Sequence, residues 1–235
     1  MREYFLDIPT ILIAAIIYIY IIKLSIDVFL LKKQLILILF IVQILGLIYD
    51  GIVILLGFSM SESVLMFFNK FRFIFHGLLV PLLIIFCGNA LNLKGKFFYL
   101  NLLINIILSI FGIILGIICN LDIVDENVLK RCNFSSDEKK FIKISFTLMS
   151  IGCVIYMIVA GIILYVKKKD YYFFLSGFFM LLFSAIGPAV GKSNLNYLLS
   201  MYGEVLMIIF LYFFFKNKTQ EPINIKQIEM GLDVD

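Results

Sequence analysis

Four residues of types that could do chemistry, Asp50, Arg72, His76 and Glu204, lie inside runs of isoleucine, leucine, phenylalanine and valine. Ionisable groups in hydrocarbon are costly unless they are paired or hydrated, so each one needs a physical reason to be there. Their spacing groups them with other polar residues. Gln43 and Asp50 are seven residues apart in one apolar run, and Asn69, Arg72 and His76 follow an i, i+3, i+7 pattern in the next. Tyr197, Ser200 and Glu204 repeat that pattern near the C-terminus. On a helix each set occupies one face.

The chemistry these types allow is limited. Arginine stays charged at any accessible pH and must find carboxylates or water, and Asp50 and Glu204 are the carboxylates on offer. His76, the only histidine of the chain, can gain or lose a proton near neutral pH. Two carboxylates around one guanidinium could be a structural clamp joining three helices. They could equally border a water-filled pocket for a small ion or a polar headgroup. As an enzyme acting on lipid, the chain would use His76 as acid/base with Asp50 or Glu204 as partner. One histidine cannot build a multi-histidine metal site, no metal site is expected, and no GxSxG or HExxH pattern occurs. The main expectation is a non-enzymatic sensor or transport-type protein. A structural or accessory membrane subunit, with the polar cluster serving packing alone, is the further alternative.

The elements that position these residues are set by composition. Hydrophobic residues form 63% of the 235 residues and charged residues only 15%. Soluble domains sit near half apolar and a quarter charged, so the class is an all-α polytopic integral membrane protein with the lipid bilayer as solvent. Seven segments match the length needed to cross about 30 Å of hydrocarbon, near 9–31, 35–57, 63–91, 97–119, 141–166, 171–191 and 194–215. They form one membrane domain, 1–215, followed by a short polar tail, 216–235. Pro81 should bend the long third span, because proline lacks the N–H that would continue the helical ladder.

Basic residues orient the spans. Lys32 and Lys33, Lys94 and Lys96, Lys167–Lys169, and Lys216 and Lys218 all fall on one side of a seven-span topology. That side is expected to be cytoplasmic, with the N-terminus outside, as for a multi-pass protein of the cell membrane. At a rise of 1.5 Å per residue, Asp50 is then roughly 10 Å below the outer boundary, Arg72 roughly 13 Å, Glu204 about 15 Å and His76 roughly 20 Å. The three charged residues share a depth in the outer half. No basic stripe interleaved with aromatics suggests nucleic acid.

Other polar residues have simpler expectations. Lys23 and Asp27, one turn apart in the first span, could form an intramembrane ion pair. Asn101, Asn105 and Ser109 form an i, i+4, i+8 stripe suited to bonding between helices. Cys119 and Cys132 flank the outer loop 120–140, where an oxidising exterior could join them, with two unpaired thiols as the alternative. The glycines of "GIILG" (112–116) and "GPAVG" (187–191) allow close helix approach, within the chain or at a homo-oligomer seam.

Arg72 followed nine residues later by "PLL" (81–83) resembles the third helix of microbial rhodopsins, and "LFSAIGPAVG" (182–191) is loosely similar to their sixth. Chain length, seven spans and an outside N-terminus are also similar. The resemblance implies a rhodopsin-like fold. That family holds retinal as a Schiff base on a lysine in the middle of helix seven. The span "LNYLLSMYGEVLMIIFLYFFF" contains no lysine, and Phe75 stands where the carboxylate three residues after the arginine usually occurs. The implied protein is rhodopsin-like without a retinal linkage, and no cofactor is expected.

Overall fold

The computed structural model describes residues 7–126, 129–190 and 193–220. Its elements in chain order are α1 (Asp7–Lys32), α2 (Leu35–Leu56), α3 (Glu62–Leu79), α4 (Leu82–Ala90), α5 (Gly95–Ile118), β1 (Leu121–Glu126), β2 (Leu129–Phe134), α6 (Lys140–Lys168), α7 (Tyr172–Val190) and α8 (Ser193–Gln220). Six helical segments among the described residues are long and apolar enough to cross a membrane, α3 and α4 together forming one, Glu62–Ala90. The described apolar part of α7 is shorter, Tyr172–Ile186. Large apolar side chains point outward along the bundle, including Ile16, Ile19, Ile107, Leu148 and Ile155. Such a surface is stable only against lipid, so this is a helical, membrane-embedded architecture.

The bend at Pro81 is present. Val80 and Pro81 keep right-handed helical dihedrals, and the Val80 N–H still donates to the His76 carbonyl at 3.1 Å. Pro81 has no N–H for the Gly77 carbonyl one turn below, and the helix re-forms from Leu82 as α4. The break follows His76 by one turn, so α3 carries the polar face and α4 carries core side chains. Gly77 and Gly112 are where α3 and α5 touch: a Cβ built on Gly77 would lie 2.3 Å from the Gly112 backbone. Gly116 presses on Ile74 in the same way, so the first small-residue motif packs within the chain. The second motif reaches Gly191, which lies outside the described residues.

The main core is built from α1, α2, α4, α6, α7 and α8. Phe40, Phe86 and Phe215 lock α2, α4 and α8 together edge-to-face, with ring centroids 5.3 to 6.2 Å apart. A second core lies where the start of α3, the end of α5 and the start of α6 meet, with Leu65, Leu115, Ile142 and Phe146 packing on Leu121 and Cys132.

That second core holds the main departure from an all-α chain. The loop 120–140 folds into an antiparallel hairpin with Leu121 opposite Phe134 and Ile123 opposite Cys132. At its base these four residues alternate with Asp122 and Asn133, so they share one face of the hairpin, which packs on the helix ends. Glu138, almost fully buried, closes its base by accepting from the Asn120 and Lys139 N–H groups. The hairpin bears directly on α2, where a Cβ on Gly57 would overlap the Lys130 carbonyl.

Candidate functional site

Helix α2 presents Gln43, Gly46, Tyr49 and Asp50 to the bundle interior. Helix α3 presents Arg72, Phe75 and His76, and α8 presents Ser200, Met201, Glu204 and Met207. All line one cavity of about 260 Å³, completed by Ser150 and Val154 of α6 and by Met180 and Ser184 of α7. The three charged residues expected at one depth therefore line one space, together with His76, expected deeper, and with Gln43 and Ser200. A hollow of about 10 Å³ on the α1 side also touches both Asp50 and Glu204. That is about the smallest space able to hold one water.

Arg72 is positioned from two directions. Its Nε–H donates to Asp50 Oδ1, and its Nη1 donates to Asn69 Oδ1 at 3.2 Å. The ion pair ties α2 to α3 with both side chains largely covered, at 16% and 24% exposure. Asn69 is fully buried behind it, outside the cavity wall. Its amide donates to the Leu65 carbonyl at 2.9 Å, and its Oδ1 also accepts the Cys132 N–H at 3.3 Å. Thus the hairpin reaches the arginine through one amide side chain.

The remaining polar groups of the cavity are not paired in this way. Among the described residues, Glu204 makes no ion pair or hydrogen bond, and the same holds for His76 and Ser200. Gln43 is 4% exposed and its Oε1 has no hydrogen-bond partner. A clamp of two carboxylates on one guanidinium is therefore only half formed, since Asp50 holds Arg72 and Glu204 stands apart from it. Neither carboxylate is hydrogen-bonded to His76, so the pair that acid–base catalysis on a lipid would use is not assembled. Helix depth is legible from residue counts, but the rotation that decides which carboxylate reaches the guanidinium is not.

Several cavity residues carried no warning in the sequence. Tyr49 packs edge-on against Phe75 at 5.2 Å and donates its hydroxyl to the Phe68 carbonyl at 3.0 Å. Its place next to Asp50 on α2 was the available clue. Ser150 and Ser184 are each one of two serines in an apolar helix, a pattern too common to single out. Tyr197 lies on α8, but its side chain is outside the described residues.

Two other expectations come out differently. Lys23 and Asp27 are both exposed, and no ion pair joins them. A basic residue one turn before an acidic one is the less favourable order on a helix. Cys119 and Cys132 are free thiols. The hairpin register puts Cys132 opposite Ile123, four residues beyond Cys119. At about 3.3 Å per extended residue, that offset is larger than the Cα separation a disulfide spans. The Cys119 thiol instead donates to the Gly116 carbonyl at 3.3 Å, and burial raises the Cys132 thiol above the ordinary cysteine range.

No group of histidine, cysteine, aspartate or glutamate side chains suited to a metal ion occurs among the described residues. Compared with known families and with characterised proteins, the sequence matches no family model and no curated relative.

Proposed function

We propose that this chain is a non-enzymatic seven-helix membrane protein of sensor or transport type, and that the cavity between α2, α3 and α8 is its ligand site. One observation carries the reading: polar groups from separate helices line one cavity, yet Glu204, His76 and the Gln43 amide oxygen are left without partners. A purely structural cluster would be expected to use those groups on one another, because an unpaired polar group in a low-dielectric interior is costly. Groups facing a cavity unpaired are what a hydrated or ligand-filled site requires. An intramembrane ionisable residue is a functional hypothesis by default.

The proposed topology has seven spans, an outside N-terminus and a cytoplasmic C-terminus, in the cell membrane. The lysines between and after the spans support it. It puts the hairpin outside, above the Arg72 end of the cavity. The fold is read as rhodopsin-like but without retinal, since no lysine occurs between 194 and 215.

Reconstituted protein tests the reading. Arg72→Ala and Glu204→Ala, each shown to be folded, should lose ligand response or ion flux. Intact response in both variants would overturn the assignment. Protease or impermeant-label mapping should find the hairpin outside and Lys94 and Lys96 inside.

A further inference from the structure

The charges of the cavity are unbalanced, and that imbalance defines what it can take. Asp50 and Arg72 neutralise one another, and Asn69 saturates another guanidinium donor. Two acceptors then remain on the wall without partners: the Glu204 carboxylate and the Gln43 Oε1 oxygen, the latter on a side chain 4% exposed. Among the described lining residues, an anionic ligand would find Arg72 already paired with Asp50 and His76 as the one further basic side chain. A cation would find an unpaired carboxylate and an unpaired amide oxygen, both groups that only accept. The rest of the wall is mostly apolar: leucines and valines from α2, α3, α4 and α6, the Tyr49 and Phe75 rings, and methionines from α7 and α8, with a few serines between them. Such surfaces suit an apolar body and the face of a cation.

Resting on the ligand-site reading above, we infer that the cavity binds a small organic cation, a protonated or quaternary amine. Glu204 is its charge partner and Gln43 its hydrogen-bond acceptor. A volume of about 260 Å³ sits just below the range of about 300–1,000 Å³ typical for drug-sized ligands. The amine is therefore a small one, with a short apolar or aromatic substituent. Glu204 gains from the amine the neutralisation that Arg72 does not give it. Arg72 acts here as a positioning residue that holds Asp50 occupied and leaves Glu204 as the site's uncompensated charge.

Charge-selective labelling of the full chain in nanodiscs tests this with defined probes. Ser200 and Glu204 are one turn apart on α8, so Ser200→Cys places a thiol beside the carboxylate. The four native cysteines are buried and supply the unlabelled background. Rates would be measured with a trimethylammonium-ethyl and a sulfonato-ethyl methanethiosulfonate, each normalised to its rate with a free thiol. The cationic reagent should react at least tenfold faster, and Glu204→Gln should abolish that preference. Protection of the thiol by 2-phenylethylammonium, but not by 3-phenylpropionate, should accompany it.

Ser184→Cys on α7, facing the same cavity, serves as the reporter if Ser200→Cys does not fold. Equal rates for the two reagents, or a preference that survives Glu204→Gln, would overturn the amine assignment and leave the open cavity standing. No labelling at either reporter would overturn the ligand site itself.

Discussion

Two polar sets lie inside this bundle, and they are organised in opposite ways. On α5, Asn101, Asn105 and Ser109 form a stripe that is mostly used up in bonding to neighbours. The Asn101 amide donates to the Ile84 carbonyl at 2.9 Å, its oxygen accepts the Tyr156 hydroxyl at 3.1 Å, and Ser109 donates to the Leu78 carbonyl at 3.3 Å. Asn105 is the exception, its buried amide nitrogen being left without a partner. Around the cavity the reverse holds: one ion pair is made, while Glu204, His76 and Ser200 line the open space unbonded and Gln43 Oε1 is enclosed without a partner. Polar residues thus act as glue in one place, where they are almost fully buried, and as an unfilled wall in the other, where Glu204 and Ser200 are half-buried against the cavity. The stripe should respond to mutation with stability, and the cavity with ligand behaviour.

The sharpest way to break the glued side is to separate its helices. Gly112→Leu would drive a side chain into Gly77, where even a Cβ is 2.3 Å from the carbonyl oxygen. Its cost should reach or exceed the top of the range of about 1–3 kcal/mol for overpacking. Purified protein should lose most of its cooperative thermal transition. The same substitution at Gly152, which has open space around it, should be tolerated.

Arg72→Met comes next, because it leaves Asp50 without a partner. A fully buried pair broken in this way costs about 3–5 kcal/mol, and the partial exposure of both side chains lowers the expectation to about 2 kcal/mol. Adding Asp50→Leu should recover more than half of the loss in an SDS-unfolding titration. A double variant no more stable than the single one would mean that Arg72 is held chiefly by other groups. Asn101→Leu should cost about 1 kcal/mol, since hydrogen bonds between membrane helices are individually modest. It strands the Ile84 carbonyl and the Tyr156 hydroxyl but leaves the cavity wall untouched. Labelling at a cavity thiol should therefore be unchanged.

Both polar sets stood out in the sequence for one reason: a polar side chain in an apolar run has nowhere to hide. Counting residues down each helix was enough to bring Asp50, Arg72 and Glu204 to one depth. It could not say that Arg72 takes Asp50 and leaves Glu204, which depends on helix rotation and rotamers. The hairpin was illegible for a different reason. In "LDIVDE" and "LKRCNF" the charges sit in adjacent pairs, Asp125 with Glu126 and Lys130 with Arg131, so the alternation that marks a strand is broken and the segment reads as a charged loop. The separation of Cys119 from Cys132 then follows from a register that sequence spacing does not contain. Ser150 and Ser184 carry no electrostatic cost, and Ser184 donates to the Met180 carbonyl of its own helix at 2.7 Å, as Ser25 does to the Ile21 carbonyl, so nothing in the sequence set either one apart.

The smallest expected change in stability is at Glu204, and it is also the most discriminating. If Glu204 were part of the glue, Glu204→Gln would leave a partner stranded and cost as much as Asn101→Leu or more. With no direct ion pair or hydrogen bond among the described residues, the substitution removes a charge whose desolvation is offset only by the more distant Arg72 guanidinium. Stability should then stay within about 0.5 kcal/mol of the parent or rise. Selectivity of the cavity for a cationic reagent should vanish in the same protein. A variant that unfolds readily and still prefers cations would assign Glu204 to the structural set and collapse the distinction between the two regions. Unchanged stability with lost selectivity would place the division between glue and site at this residue, one turn along α8 from Ser200.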